Sequence, residues 1–118
     1  MTEPIVDPAA FAHLLEITGN DLEFVDELVD TFLDDAGTQL AAMRAAVTAG
    51  DVEALVRPVH SLKSSSANVG AAALAEACRA LEADARSGAV TDIEARVSAC
   101  ETALAAAREA LLAERAAR

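Results

Sequence analysis

An all-α fold, an antiparallel up-and-down four-helix bundle with a short additional N-terminal helix, is what three features of this sequence predict. Apolar residues recur at spacings of three and four along nearly the whole chain, the period of amphipathic helices. Aromatic residues supply only 3% of the composition within a 53% hydrophobic fraction rich in alanine, which suits closely packed helices better than strands. The stretches that interrupt the periodicity are short, so consecutive helices are expected to run antiparallel. At 118 residues the chain is expected to be one domain, 1–118, with a core that needs no staples. No internal repeat and no long linker divides it.

The elements follow in order. Residues 1 to 6 read as a loose leader, and Asp7-Pro8 offers a helix start, with Asp as N-cap and Pro at the first helical position. A short helix to about Ile17 should bury Phe11, Leu14 and Leu15. Thr18-Gly19-Asn20 ends it and offers a cap for the next. A long helix from about Asp21 to Ala49 carries Leu22, Val25, Val29, Phe32, Ala36, Leu40, Met43 and Val47 on one stripe. Glu23, Asp26, Glu27, Asp30 and Asp34 lie opposite, as a solvated face. Phe24 falls about 100° off the stripe, so it covers an end of the bundle or belongs to a docking surface.

Gly50-Asp51 closes that helix and caps a third one over residues 52 to 69, whose buried stripe is Leu55, Val59, Leu62, Ser66 and Val69. Pro58 lies seven residues past the cap, where a continuous helix would bend just before His60, either wrapping the helix around the core, the favoured reading, or pushing the histidine outward. Gly70 ends this helix. Ala72 to Arg86 reads as its antiparallel neighbour, with Leu74, Ala77, Cys78, Leu81 and Ala85 inward, and Ser87-Gly88 stops it. Thr91 and Glu94 have the spacing of a capping box for a last helix from about Asp92 to Ala113, with Ile93, Val97, Cys100, Leu104, Ala107 and Leu111 inward.

Charge excludes several classes of partner. A formal net charge of −11 argues against nucleic acid and against anionic membrane surfaces. No run of about 18 uncharged apolar residues exists, and no basic leader precedes an apolar core, so a cytoplasmic monomer is expected. Cys78 and Cys100 are isolated and only two histidines occur, which gives a zinc site little support. Both cysteines read as small buried hydrophobes in neighbouring helices, though sequence alone leaves a disulfide open. His13 has no partner cluster and reads as structural or merely exposed.

The chemistry concentrates at His60. Relative to the middle of the buried stripe, about 100° per residue puts His60 at roughly 140°, Ser64 near 180°, Arg57 near 200°, Ala67 near 120° and Lys63 near 80°. The imidazole therefore points to solvent, with Ser64 at i+4 and Ala67 at i+7 leaving nothing bulky over it. A neutral imidazole nitrogen is a good nucleophile near neutral pH. Arg57 and Lys63 are placed to offset the charge of an accepted phosphoryl group by charge-assisted hydrogen bonds.

The string His60-Ser61-Leu62-Lys63-Ser64-Ser65-Ser66-Ala67-Asn68-Val69-Gly70 resembles the signature of histidine phosphotransfer (HPt) domains, the carrier modules of two-component phosphorelays. That signature runs His-x-Leu-Lys-Gly-Ser-(Ser or Ala), three variable positions, then Gly. The chain matches it at His60, Leu62, Lys63, Ser65, Ser66 and Gly70 and departs at Ser64, where serine replaces the usual glycine. The likeness extends to Leu74, Cys78 and Leu81-Glu82 of the following helix.

The resemblance implies that His60 is the phosphoacceptor, with Lys63, Ser64, Arg57, Ser61 and Ala67 as the phosphoryl-supporting and docking set. It implies partners of one kind, the receiver domains of response regulators and hybrid histidine kinases. No cofactor of the chain's own is expected: without a nucleotide loop or a carboxylate triad, Mg²⁺ and the reacting aspartate must come from the receiver, and the chain is not an independent kinase. An adaptor bundle with an inert histidine and a metal or redox carrier are the competing readings.

Overall fold

The computed structural model describes residue 6, residues 8–88 and residues 90–116. Among these described residues five α-helices run in order, α1 (Pro8–Ile17), α2 (Leu22–Ala49), α3 (Val56–Asn68), α4 (Ala72–Ser87) and α5 (Ile93–Ala116), with a 3₁₀ turn at Glu53–Leu55 leading into α3. Helices α2 to α5 close a ring, α2 against α3, α3 against α4, α4 against α5 and α5 back against α2. The short α1 lies on α2 and α3. No strand occurs among the described residues, so the all-α bundle with its extra N-terminal helix is the fold. The Asp7 cap and the Phe11 side chain fall outside what is described.

The core is a column of apolar side chains drawn from every helix of the ring. Val25, Val29, Phe32, Ala36, Leu40, Met43 and Ala46 come from α2, and Val59 and Leu62 from α3. Leu74, Cys78 and Leu81 enter from α4, and Val97, Cys100, Ala107 and Leu111 from α5. Each fully buried Val or Leu contributes about 1.5–3 kcal/mol of transfer free energy, so this column is the principal source of stability. The two cysteines are free and fully buried. Their mutual hydrogen bond, and then burial, push the Cys78 thiol well above its ordinary range.

Four local expectations are corrected. Leu22 stands 44% exposed at the start of α2 and Ala46 is buried in the last turns, where Val47 is only partly so. A helix of 28 residues drifts against a fixed stripe, and its ends reach past the neighbours that would cover them. The cap of α2 is Asp21, whose carboxylate accepts from the Phe24 N–H at 3.1 Å, while Asn20 takes a left-handed conformation in the turn.

Pro58 causes no break in a continuous helix, because none exists there. The 3₁₀ turn occupies Glu53–Leu55, which makes Pro58 the third residue of α3, within the first turn, where N–H groups have no intrahelical acceptor. Finally, the Thr91–Glu94 capping box does not form. Asp92 adopts φ 51° between them, which takes Thr91 out of the capping position, and the helix begins at Ile93.

The turn between α3 and α4 is the tightest in the ring. Gly70 at φ 77° is buried there, and the Ala71 N–H reaches back to the Ser66 carbonyl at 2.8 Å. Only glycine takes that left-handed φ without strain, so Gly70 lets α4 fold straight back along α3. This return places the middle of α4 beside His60.

Candidate functional site

His60 lies two residues past Pro58 on the outer face of α3, with a side chain 54% exposed, while Val59 and Leu62 on either side are fully buried. Core packing of these two neighbours fixes the rotation of α3 and so the direction of the imidazole. The ring leans across to α4, where its Nδ1 lies 2.9 Å from Oε2 of Glu82.

Glu82 is the residue that sequence reasoning missed as part of the site. It sits four residues after Cys78 and next to Leu81, on the inward edge of α4, and its side chain is only 7% exposed. Three donors converge on it. Lys63 Nζ lies 2.6 Å from Oε1, and Arg86, one turn further along α4, places Nη2 at 2.8 Å and Nε at 2.9 Å from Oε2. The Lys63 contact foremost, then those of Arg86 and His60, hold the carboxyl down to about 2 against the opposing effect of burial. Glu82 is therefore ionised throughout the physiological range.

An ionised carboxylate can only accept hydrogen bonds, so the neutral His60 ring donates its Nδ1–H to Glu82. The lone pair of the neutral imidazole is then on Nε2, the nitrogen away from α4. The same carboxylate orients the ring, as carboxylates do for imidazoles in other reactive sites. The signal available in the sequence was a carboxylate inside the apolar stripe of the fourth helix, a position where an unpaired charge is costly and a paired one needs donors from the facing helix.

The other expected site residues separate into groups. Lys63 is brought to the Glu82 cluster, with its side chain 32% exposed. Arg57 is exposed and lines, with His60, Ser61 and Arg86, an open groove of about 790 Å³ between the start of α3 and the end of α4. Ser64 and Ala67 are exposed on the outer face of α3. The ring of His60 leans toward α4 rather than along α3 over Ser64. Ser65 bonds its own helix, donating to the Ser61 and Leu62 carbonyls at 3.1 and 3.3 Å. Ser66 is fully buried and its Oγ has no hydrogen-bond partner among the described residues.

His13 is exposed on α1. Phe24 is 46% exposed and stands with Ile17 and Leu22 at the α1–α2 turn. Among the described residues no three His, Cys, Asp or Glu side chains gather as a metal-holding group, and no helix is long and apolar enough to cross a membrane.

The helical ring presents one half-exposed histidine backed by a buried carboxylate and two cations, and the comparisons with known proteins give the family. Residues 27–110 match the family model for the Hpt domain. The chain belongs to this family, the phosphotransfer carriers of two-component signalling. It is similar to the crystal structure of histidine-containing phosphotransfer protein B (HptB) from Pseudomonas aeruginosa PAO1, at 33% identity and a TM-score of 0.88 over 99% of each chain. No curated protein matches the sequence.

Proposed function

We propose that His60 is the phosphoryl-carrying residue and that its Nε2 takes the group from an aspartyl phosphate of one receiver domain and passes it to the aspartate of another. The observation that carries this reading is the 2.9 Å contact between His60 Nδ1 and the ionised Glu82, on a ring more than half exposed. In the first step the Nε2 lone pair forms the N–P bond as the P–O bond to the receiver carboxylate breaks and its electron pair returns to that carboxylate. The ring becomes a phosphoimidazolium, and the Glu82 carboxylate facing Nδ1–H offsets its positive charge. In the second step the N–P bond breaks toward the incoming aspartate and leaves a neutral imidazole, a better leaving group than an imidazolate.

Phosphoryl transfer of this kind depends on positioning and charge compensation, so a small rigid surface is sufficient on the carrier's side. Lys63 and Arg86 are already anchored on Glu82 and need no reorganisation as phosphoryl oxygens approach. Ser64, Ser61 and Ala67 form the low polar surface over which the receiver comes. The receiver supplies Mg²⁺ and the aspartate; the chain works without a cofactor or kinase activity of its own, as a cytoplasmic monomer that binds neither nucleic acid nor membrane.

Incubation with receiver domains labelled on their aspartate tests the reading. The wild-type chain is expected to gain an acid-labile, alkali-stable phosphate, and His60→Gln to gain none while keeping its helical circular dichroism spectrum. A folded wild-type chain that takes no label from any receiver of its source organism would leave the adaptor reading in its place.

A further inference from the structure

The groove beside His60 has a charge pattern that transfer chemistry alone does not use. Its floor is apolar: Val52 and Val56 are partly buried against the core, and Ala85 is almost wholly so. It is open because α4 ends on small residues, Ser87 and Gly88, opposite the 3₁₀ turn. Its charged lining is two arginines, Arg57 and Arg86, against one carboxylate, Glu53, in a chain whose net charge is −11.

The two arginines differ. Arg86 is tethered to Glu82 through Nε and Nη2 and still presents its other N–H groups outward, with 57% of its side chain exposed. Arg57 is exposed and makes no ion pair or hydrogen bond among the described residues. It holds no part of the fold together, and its planar guanidinium is free to meet a partner.

We propose that this groove seats an acidic segment of the partner receiver domain, with the Arg57 guanidinium as its anchor; the inference rests on the carrier reading and names where the partner's carboxylates meet the chain. The planar fork of a guanidinium matches a carboxylate in two parallel hydrogen bonds. Arg57 precedes His60 by three residues, so the two side chains leave α3 as neighbours, about 5–6 Å apart at their Cβ atoms, and both line the groove. An acidic partner approaching a chain of net charge −11 meets net repulsion over its surface as a whole, which makes a locally cationic mouth beside the histidine a favoured point of entry. The apolar floor then adds burial without direction.

The test compares two phosphoryl donors on the full chain: the labelled receiver domain that serves the wild type fastest, and phosphoramidate, which is too small to need docking. For Arg57→Ala, receiver-driven transfer is expected to fall by about tenfold at low ionic strength and to lose most of its salt dependence. Arg57→Glu should fall further, and Arg57→Lys should recover part of the rate. Phosphoramidate labelling of His60 should fall by less than about threefold in all three, since only Coulomb attraction at the ring is altered.

Receiver-driven transfer in Arg57→Glu at the wild-type rate would overturn the docking site. So would an equal loss with both donors, which would put Arg57 at the phosphoryl group instead of the partner. A wild-type chain that takes no label from either donor overturns the carrier reading and this inference with it.

Discussion

Two faces of the ring use their charges in opposite ways. Between α2 and α5, arginines tie exposed carboxylates across helices: Arg44 reaches Glu101 at 2.5 Å and Ser98 at 3.2 Å, and Arg115 reaches Asp26 at 3.2 Å and Asp30 at 2.9 Å. The Arg115 contacts tie Asp26 and Asp30 of the acidic face of α2 to the last helix, so that face is not solvated throughout as its charge pattern suggests. Between α3 and α4 a single buried carboxylate collects His60, Lys63 and Arg86. The first arrangement spreads weak, screened pairs over a surface. The second holds a charge out of water, which adds little net stability but fixes the geometry of a reactive ring. The difference teaches which ion pairs hold the bundle and which serve the site.

The largest effect that separates the faces is expected at Glu82. Glu82→Gln keeps the volume and removes the charge, so transfer through His60 should slow by about 10- to 100-fold, the usual cost of removing the partner that orients a reactive imidazole. Stability should change by less than about 2 kcal/mol, because loss of the pairing is offset by relief of a buried charge. Rapid-quench transfer kinetics beside urea melts measure both. A large loss of stability with unchanged transfer would reverse the assignment of the two faces.

Lys63→Ala comes next. It removes the charge that holds Glu82 down most strongly, and a loss of about 1–3 kcal/mol of phosphoryl-state stabilisation is expected if one charge-assisted bond is lost. The half-life of the phosphorylated chain reports it. Ser64 sharpens the picture of the outer surface. Ser64→Leu should block receiver-driven transfer with the bundle folded, and Ser64→Gly should keep transfer while costing about 0.5 kcal/mol of helix stability. Wild-type transfer in Ser64→Leu would show that the receiver does not approach over this turn.

Acid titration reads the buried carboxylate directly. Glu82 is held at about 2 in the fold against an ordinary value of 4.5. Its contribution to stability is therefore complete above 4.5 and is lost as pH falls from there toward 2, since the unfolded chain takes up the proton first. Urea midpoints between pH 5 and 3 should drop more steeply for the wild type than for Glu82→Gln. Parallel lines would show that the carboxylate is not held down. The smallest effect belongs to the other face: Arg44→Ala should cost about 0.2–1 kcal/mol in the same melts and leave transfer unaltered.

Much of this was legible in the sequence. The stripe Leu55, Val59, Leu62, Ser66 and Val69 is buried as its spacing requires, and that stripe alone turns His60 outward. The turns at Gly50 and Gly70 were equally plain, since left-handed backbone leaves a residue-type mark. What was hidden depends on neighbours. Whether Pro58 breaks a helix or begins one turns on a 3₁₀ start that no periodicity reveals. The capping box at Thr91 was defeated by the backbone of Asp92. Glu82 was visible as a charge in an apolar stripe, but its role needed the three donors that folding brings to it from two helices.

The central claim is that Glu82 fixes the His60 tautomer and leaves Nε2 to carry the phosphoryl group. Nitrogen-15 NMR of the histidine-labelled chain, before and after phosphorylation, tests it most directly. Before transfer the His60 ring should show a protonated Nδ1 and a free Nε2; afterwards the phosphorus should be bonded to Nε2 with the Nδ1 proton retained. Phosphorus on Nδ1, or on any residue other than His60, would contradict the account.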